Sequence, residues 1–255
     1  MCRHLAYLGP AVTLEELLLR PRHSLLEQTW SPRDMRGGGT VNVDGFGAGW
    51  YEPGWYEQGA PERFRSAVPM WTDTAFAGLA RRQRASAVLA AVRSATVGMP
   101  VIETACAPFT DGTWLFSHNG VVAGWPDSLA KAAAELDVID LMTLEAPTDS
   151  AVLWALLRQR LHAGQDPALA VCEVIDQVAA VRPDSRLNLL LTDGSTVYAT
   201  TWSHSLALRR TEDSVTVSSE PFGDDSEWEP VPDRHLVVAD SSTVRVTPLP
   251  EGEHP

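Results

Sequence analysis

The chain has 255 residues, 33 acidic against 20 basic side chains (formal net charge −13), and is 44% hydrophobic. This composition excludes intrinsic disorder as the main state and argues against the basic face a nucleic-acid binder needs. No apolar run approaches the roughly 20 residues that span a bilayer. Three cysteines without a C-x-x-C pair and seven scattered histidines argue against a disulfide framework or a metal site, and no cofactor is expected. The N-terminus lacks the apolar stretch of a secretory signal, so the expected location is cytoplasmic.

In chain order, residues 1–9 read as a strand. Thr13-Leu14-Glu15-Glu16 is a capping box ahead of Leu17-Leu18-Leu19 and predicts a short helix. Residues 30–41 are a loop by composition. The run from Gly45 to Tyr51 reads as a strand with alternate glycines. Trp50 and Tyr51 stand where a helix would follow a phosphate loop, so a dinucleotide site is excluded. The glycines instead imply close approach of the backbone to a neighbouring strand or a ligand.

A helix is predicted over Asp73–Arg82, then strands over Ser86–Ser94 and Thr113–Ser117, the second running into His118-Asn119-Gly120. Helices follow over Asp127–Leu136, Ala151–His162 and Pro167 to about Val181. Short strands close the chain: Arg186–Thr192, Thr196–Thr201, Leu206–Arg209, Val215–Ser218, Leu236–Ala239 and Val244–Val246. Asp193-Gly194 signals a hairpin between the first two. No linker divides the sequence, so one α+β domain over 1–255 is expected, with 248–255 as a flexible tail.

Four places carry chemistry. Cys2 becomes N-terminal once Met1 is removed, and then offers a thiol nucleophile and an amine base in one residue. Arg93 ends an apolar strand, where its planar fork suits a carboxylate or a surface ion pair. Asn119-Gly120 at a strand end is either a turn or a pair of N–H donors for an oxyanion. Asp149 at a helix start is either the cap or a partner for an ammonium group. Adjacent strand residues face opposite ways, so His118 is expected to be structural rather than to share a centre with Asn119.

These residues, in this order, resemble the class II glutamine amidotransferases, members of the N-terminal-nucleophile hydrolases. The pattern is an N-terminal Cys (Cys2), R-x-x-T (Arg93 to Thr96), H-N-G (His118-Asn119-Gly120) and T-D-S (Thr148-Asp149-Ser150). The Asn42–Tyr51 run and Ser218-Ser219-Glu220-Pro221 add to it. The resemblance implies a four-layer αββα sandwich. It also implies Cys2 as nucleophile, Asn119 and Gly120 as oxyanion donors, and Arg93, Thr96 and Asp149 around the glutamyl group. Val97 departs from the pattern, since several relatives carry a histidine there.

His23-Ser24-Leu25-Leu26, Trp30-Ser31-Pro32-Arg33, Asp44–Tyr51 and the lack of a synthase domain resemble, within the family, the amidohydrolases of ergothioneine biosynthesis. That implies a small γ-glutamyl substrate, γ-glutamyl-hercynylcysteine S-oxide, hydrolysed to glutamate. The alternatives are a glutaminase subunit feeding ammonia to a separate synthase, and a silent γ-glutamyl-binding protein. Because aromatic faces attract trimethylammonium groups, at least one of Trp30, Trp50, Tyr51, Trp55, Tyr56 and Trp71 is expected to line the leaving-group pocket.

Overall fold

The computed structural model describes residues 2–35, 40–52, 54 and 60–250. Met1, Trp55, Tyr56, part of the 30–41 loop and the last five residues of the expected tail lie outside them.

Two antiparallel sheets form the centre. The first contains β1 (Arg3–Thr13), β2 (Phe46–Tyr51), β3 (Glu62–Ser66), β4 (Arg84–Val92), β9 (Ala207–Arg210), β10 (Val215–Ser218) and β11 (Glu229–Pro230), in the order β11-β9-β10-β1-β4-β2-β3. The second contains β5 (Phe109–Asp111), β6 (Trp114–Val121), β7 (Arg186–Thr192), β8 (Val197–Thr200), β12 (His235–Ala239) and β13 (Val244–Pro248), in the order β13-β12-β8-β7-β6-β5. Strand periodicity sorts the side chains into layers. Ala6 and Leu8 of β1 meet Leu115, Leu190 and Val237 between the sheets. Leu5 and Tyr7 face outward, onto helices α1 (Leu14–Leu18) and α2 (Thr74–Ala80). On the far side, α5 (Asp149–His162) and α6 (Pro167–Ala179) cover the second sheet through Leu153, Leu156, Val171 and Ile175 against Phe116, Leu187 and Leu189. The expected α+β, four-layer αββα order is present.

Local signals set the helix boundaries. Thr13 and Glu16 form the predicted reciprocal cap, and α6 begins with Pro167 behind the Asp166 cap. The predicted helix over Asp127–Leu136 is shorter, a 3-10 turn Asp127–Leu129 leading into α3 (Ala130–Ala133). A five-residue helix, α4 (Val138–Met142), and strands β3, β5 and β11 were not anticipated. Pro248 ends β13 and Leu249 is buried against the helical layer, so these two residues do not belong to the expected flexible tail.

The alternate glycines of the β2 region mark close approach of protein backbone and side chains. A Cβ on Gly47 would stand 2.3 Å from the Ala107 carbonyl, and one on Gly49 2.7 Å from Leu115. The 105–108 segment therefore lies directly on β2, where it helps wall the site.

Candidate active site

The β1–β4 register pairs Arg3 with Val92 and His4 with Ala91. Continued one step, it places Cys2 opposite Arg93. Cys2 and His4 share the inter-sheet face of β1, so the thiol sits at the polar end of the central core, half-buried and 3.6 Å from the Ser94 carbonyl. Two adjoining cavities meet there. Cys2, Arg93, Ala105, His118 and Ser150 line both; Thr96, Gly120 and Asp149 line the second. Five of the six expected site residues thus meet at one cleft.

Arg93 follows the last residue of β4 and is pinned by its own backbone, which donates to Gly45 O (2.8 Å) and accepts from Asp44 N (3.0 Å). Asp44 Oδ2 accepts from Ala95 N at 2.7 Å, fixing the turn towards Thr96. The Arg93 Nη1 donates to Pro100 O at 2.8 Å. Asp149 is not the cap of α5; Thr148 is, accepting from Ala151 N. The buried Asp149 carboxylate instead accepts from Ser150 N (2.8 Å) and from Val122 N (2.9 Å), tying the helix start to the strand that carries Asn119-Gly120.

At Gly120 a Cβ would lie 1.9 Å from the Arg186 carbonyl, so no other residue fits the backbone there. His118 departs from expectation in position: its ring walls both cavities. Its nitrogens are nonetheless committed. Nε2 donates to Arg186 O (2.9 Å), and Nδ1 pairs with Ser150 Oγ (3.0 Å). Asn119 is the sixth expected residue and lies off the cavity wall. It is buried on the inter-sheet face, with Nδ2 3.1 Å from Ser219 Oγ and Oδ1 unpartnered among the described residues.

Behind Cys2 lies a charged network; the runs holding His23, Arg33 and Glu220 stand out in sequence by resemblance, but nothing there shows that they meet Arg3. Arg3 is fully buried; it donates to the Cys2 carbonyl (2.8 Å), to the Asp34 carbonyl and to Glu220. Glu220 also pairs with His23 Nε2 (2.6 Å) and accepts from Arg33 N (2.9 Å) and Asp34 N (3.0 Å). Burial alone would raise this carboxyl, but the His23 hydrogen bond, the Arg3 charge and the two backbone N–H groups hold it down at about 2. Burial keeps His4 neutral, with the neighbouring His118, His204 and Arg3 adding to the effect. Burial pushes the Cys106 thiol up to about 11, despite Arg93 nearby.

The aromatic residues divide. Trp50 and Tyr51 are core: Trp50 packs under the first sheet, and the Tyr51 hydroxyl lies within hydrogen-bond distance of both the Thr113 and Thr192 carbonyls. Neither lines the cleft, so neither is the aromatic residue that the leaving-group expectation calls for. Trp30 and Trp71 stay exposed and pack edge to face, with centroids 5.6 Å apart. Among the described residues no group of three or more His, Cys, Asp or Glu gathers as a metal would require, and no helix is long and apolar enough to cross a membrane.

A Cys at position 2, heading a central strand between two antiparallel sheets faced by helices, matches the N-terminal-nucleophile hydrolase architecture. A family model for class II glutamine amidotransferases matches residues 28–213, and the chain belongs to that family. It is 42% identical to the gamma-glutamyl-hercynylcysteine sulfoxide hydrolase of Mycolicibacterium smegmatis, over 98% of this chain and 100% of that one. The Mycobacterium tuberculosis (strain CDC 1551 / Oshkosh) protein of the same description is 42% identical over 100% of both. Among solved structures, a glutamine aminotransferase class-II domain protein from Silicibacter pomeroyi shares the fold, with a TM-score of 0.66 at 23% identity, covering 98% of this chain and 100% of that one.

Proposed function

We propose that this chain hydrolyses the γ-glutamyl amide bond of γ-glutamyl-hercynylcysteine sulfoxide, releasing glutamate and hercynylcysteine sulfoxide in ergothioneine biosynthesis. The observation that carries this reading is full-length 42% identity to hydrolases of that description, joined to a cleft where Cys2 meets Arg93.

With Met1 removed, the Cys2 amine takes the thiol proton as sulfur attacks the γ-carbonyl. Asn119 and Gly120 hold the resulting oxyanion; one such donor is worth about 10²–10³ in rate. Collapse passes the proton to the leaving nitrogen and leaves a γ-glutamyl thioester on Cys2. The same amine then activates water, which frees glutamate. Arg93 binds the α-carboxylate of the glutamyl group. Asp149 takes its α-ammonium through the carboxylate capacity left beyond the two backbone bonds, and Thr96 completes that end of the cleft. His118 walls the cleft, its ring held by Ser150 Oγ and the Arg186 carbonyl.

The test is a turnover comparison of γ-glutamyl-hercynylcysteine sulfoxide with glutamine, using wild type and Cys2→Ala. Preference for the former, abolished in a folded Cys2→Ala variant, is expected. Preference for glutamine would favour an ammonia-supplying role. No turnover of either by a protein with a processed N-terminus would favour a silent binding protein.

A further inference from the structure

The buried amide of Asn119 contains an inconsistency that one neighbouring hydroxyl resolves. Ser219 Oγ receives the His4 backbone N–H (3.0 Å) and faces Asn119 Nδ2 (3.1 Å). In that arrangement Ser219 accepts twice and its own proton has no acceptor among the described residues. Asn119 Oδ1 is buried without a donor, and His4 Nε2, also unpartnered, does not reach it. Two buried polar groups are wasted, each at the cost of its desolvation.

A half-turn of the amide about χ2, a soft torsion occupying the same space, repairs this. Ser219 O–H then donates to Oδ1 while still accepting from His4 N–H. The group left over is Nδ2–H, a donor, held where the orphaned oxygen had been. The His4 N–H that Ser219 accepts belongs to the residue two places after Cys2 on the same face of β1. A buried donor without a protein acceptor is what a developing oxyanion needs.

We propose that Ser219 is a positioning residue: its hydroxyl holds the Asn119 amide oxygen and thereby presents Nδ2 to the tetrahedral intermediate. This rests on the reading of Asn119 as an oxyanion donor. Ser219 touches no substrate. It acts from the turn after β10, whose next residue, Glu220, grips Arg3 behind Cys2. One two-residue segment therefore sets both the nucleophile's backbone and the amide that serves it.

The experiment is a double-mutant cycle on turnover of γ-glutamyl-hercynylcysteine sulfoxide, with Ser219→Ala, Asn119→Ala and both together, alongside Ser219→Thr. Asn119→Ala is expected to lower kcat about 10²–10³-fold, and Ser219→Ala by about ten- to hundredfold with KM within about twofold, because an unheld amide keeps part of its effect. The double variant should be no slower than Asn119→Ala within about threefold, and Ser219→Thr should recover most of the rate. A γ-glutamyl aldehyde, which forms a tetrahedral adduct with the thiol, should lose affinity in Ser219→Ala while glutamate binding stays unchanged. This last comparison uses only protein that binds glutamate, so loss of fold cannot imitate it.

An unimpaired Ser219→Ala, or losses that multiply in the double variant, would overturn the role of Ser219 alone. An unimpaired Asn119→Ala would overturn the oxyanion reading itself, and this inference with it.

Discussion

The guanidinium of Arg3 donates a 2.8 Å hydrogen bond to the carbonyl of Cys2, so the residue following the nucleophile fixes the peptide that carries it. Glu220 holds that guanidinium in place, with both side chains almost completely excluded from water. A buried pair of this kind contributes little over an apolar equivalent, but losing one partner strands the other.

Glu220→Gln is accordingly expected to lower unfolding free energy by about 3–5 kcal/mol, read from denaturant titration at neutral pH. The wild type should also show a specific acid dependence. The Glu220 carboxyl lies at about 2 in the folded protein against an ordinary 4.5. A depressed carboxyl stabilises the fold fully above the unfolded value, and loses that contribution as pH falls from about 4.5 towards 2. The sum at stake is roughly 3 kcal/mol. If Glu220→Gln kept the same slope of stability against pH over that window, another carboxylate would be responsible.

Arg93→Lys keeps the positive charge and loses the fork. Steady-state kinetics should show kcat/KM lowered about ten- to hundredfold, the value of one or two charged hydrogen bonds, mostly through KM. A change in kcat alone would place Arg93 at the reacting carbonyl rather than at the α-carboxylate.

Gly47→Ala tests whether the β2 glycines shape the cleft. The added methyl would sit 2.3 Å from the Ala107 carbonyl, and Ala107 lines the same cavity as Cys2. Destabilisation of about 1–3 kcal/mol is expected, with a fall in kcat/KM as the 105–108 segment shifts. Gly78→Ala is the control. It lies inside α2 with nothing within 4 Å of an added Cβ, so melting temperature should rise slightly and activity should not change.

The sequence-level signals that held are those written locally. Thr13 to Glu16 and Pro167 mark their helix starts, and the 186–192 and 215–218 strands match their predicted bounds, whereas the cap of α5 is Thr148 and not the candidate Asp149. Other features were hidden for identifiable reasons. Strand β3, Glu62-Arg63-Phe64-Arg65-Ser66, is a charged edge strand without alternation towards a core. Arg3 reads as a polar interruption of an apolar strand until Glu220 is brought to it from the other end of the sequence. Asn119 and His118 were assigned opposite faces correctly, yet His118 walls the cleft because the cavity opens at the strand's end rather than over one face.

Trp30 and Trp71 are the described aromatic candidates still exposed, at 47% and 45%. Trp30 follows Thr29, whose carbonyl accepts from Asn42 N, two residues before the Asp44 that pairs with Arg93. Exposed contacts between a cation and an aromatic face are worth about 0.5–1 kcal/mol. Trp30→Ala and Trp71→Ala should therefore raise KM for the trimethylammonium-bearing substrate about two- to fivefold and leave glutamine turnover unaltered. Equal effects on both substrates would remove this pair from leaving-group recognition.

The ion pair between Arg3 and Glu220 spans 217 positions of sequence. Such a contact is slow to find in a folding chain, since the loop it closes is nearly the whole protein. The strand bearing the nucleophile is made first and pairs with β4, yet the Cys2 carbonyl gains its Glu220-held clamp only after the 219–220 turn has left the ribosome. Recovery of turnover after dilution from denaturant should therefore lag behind recovery of helical signal, making catalysis a late clock for completion of this fold.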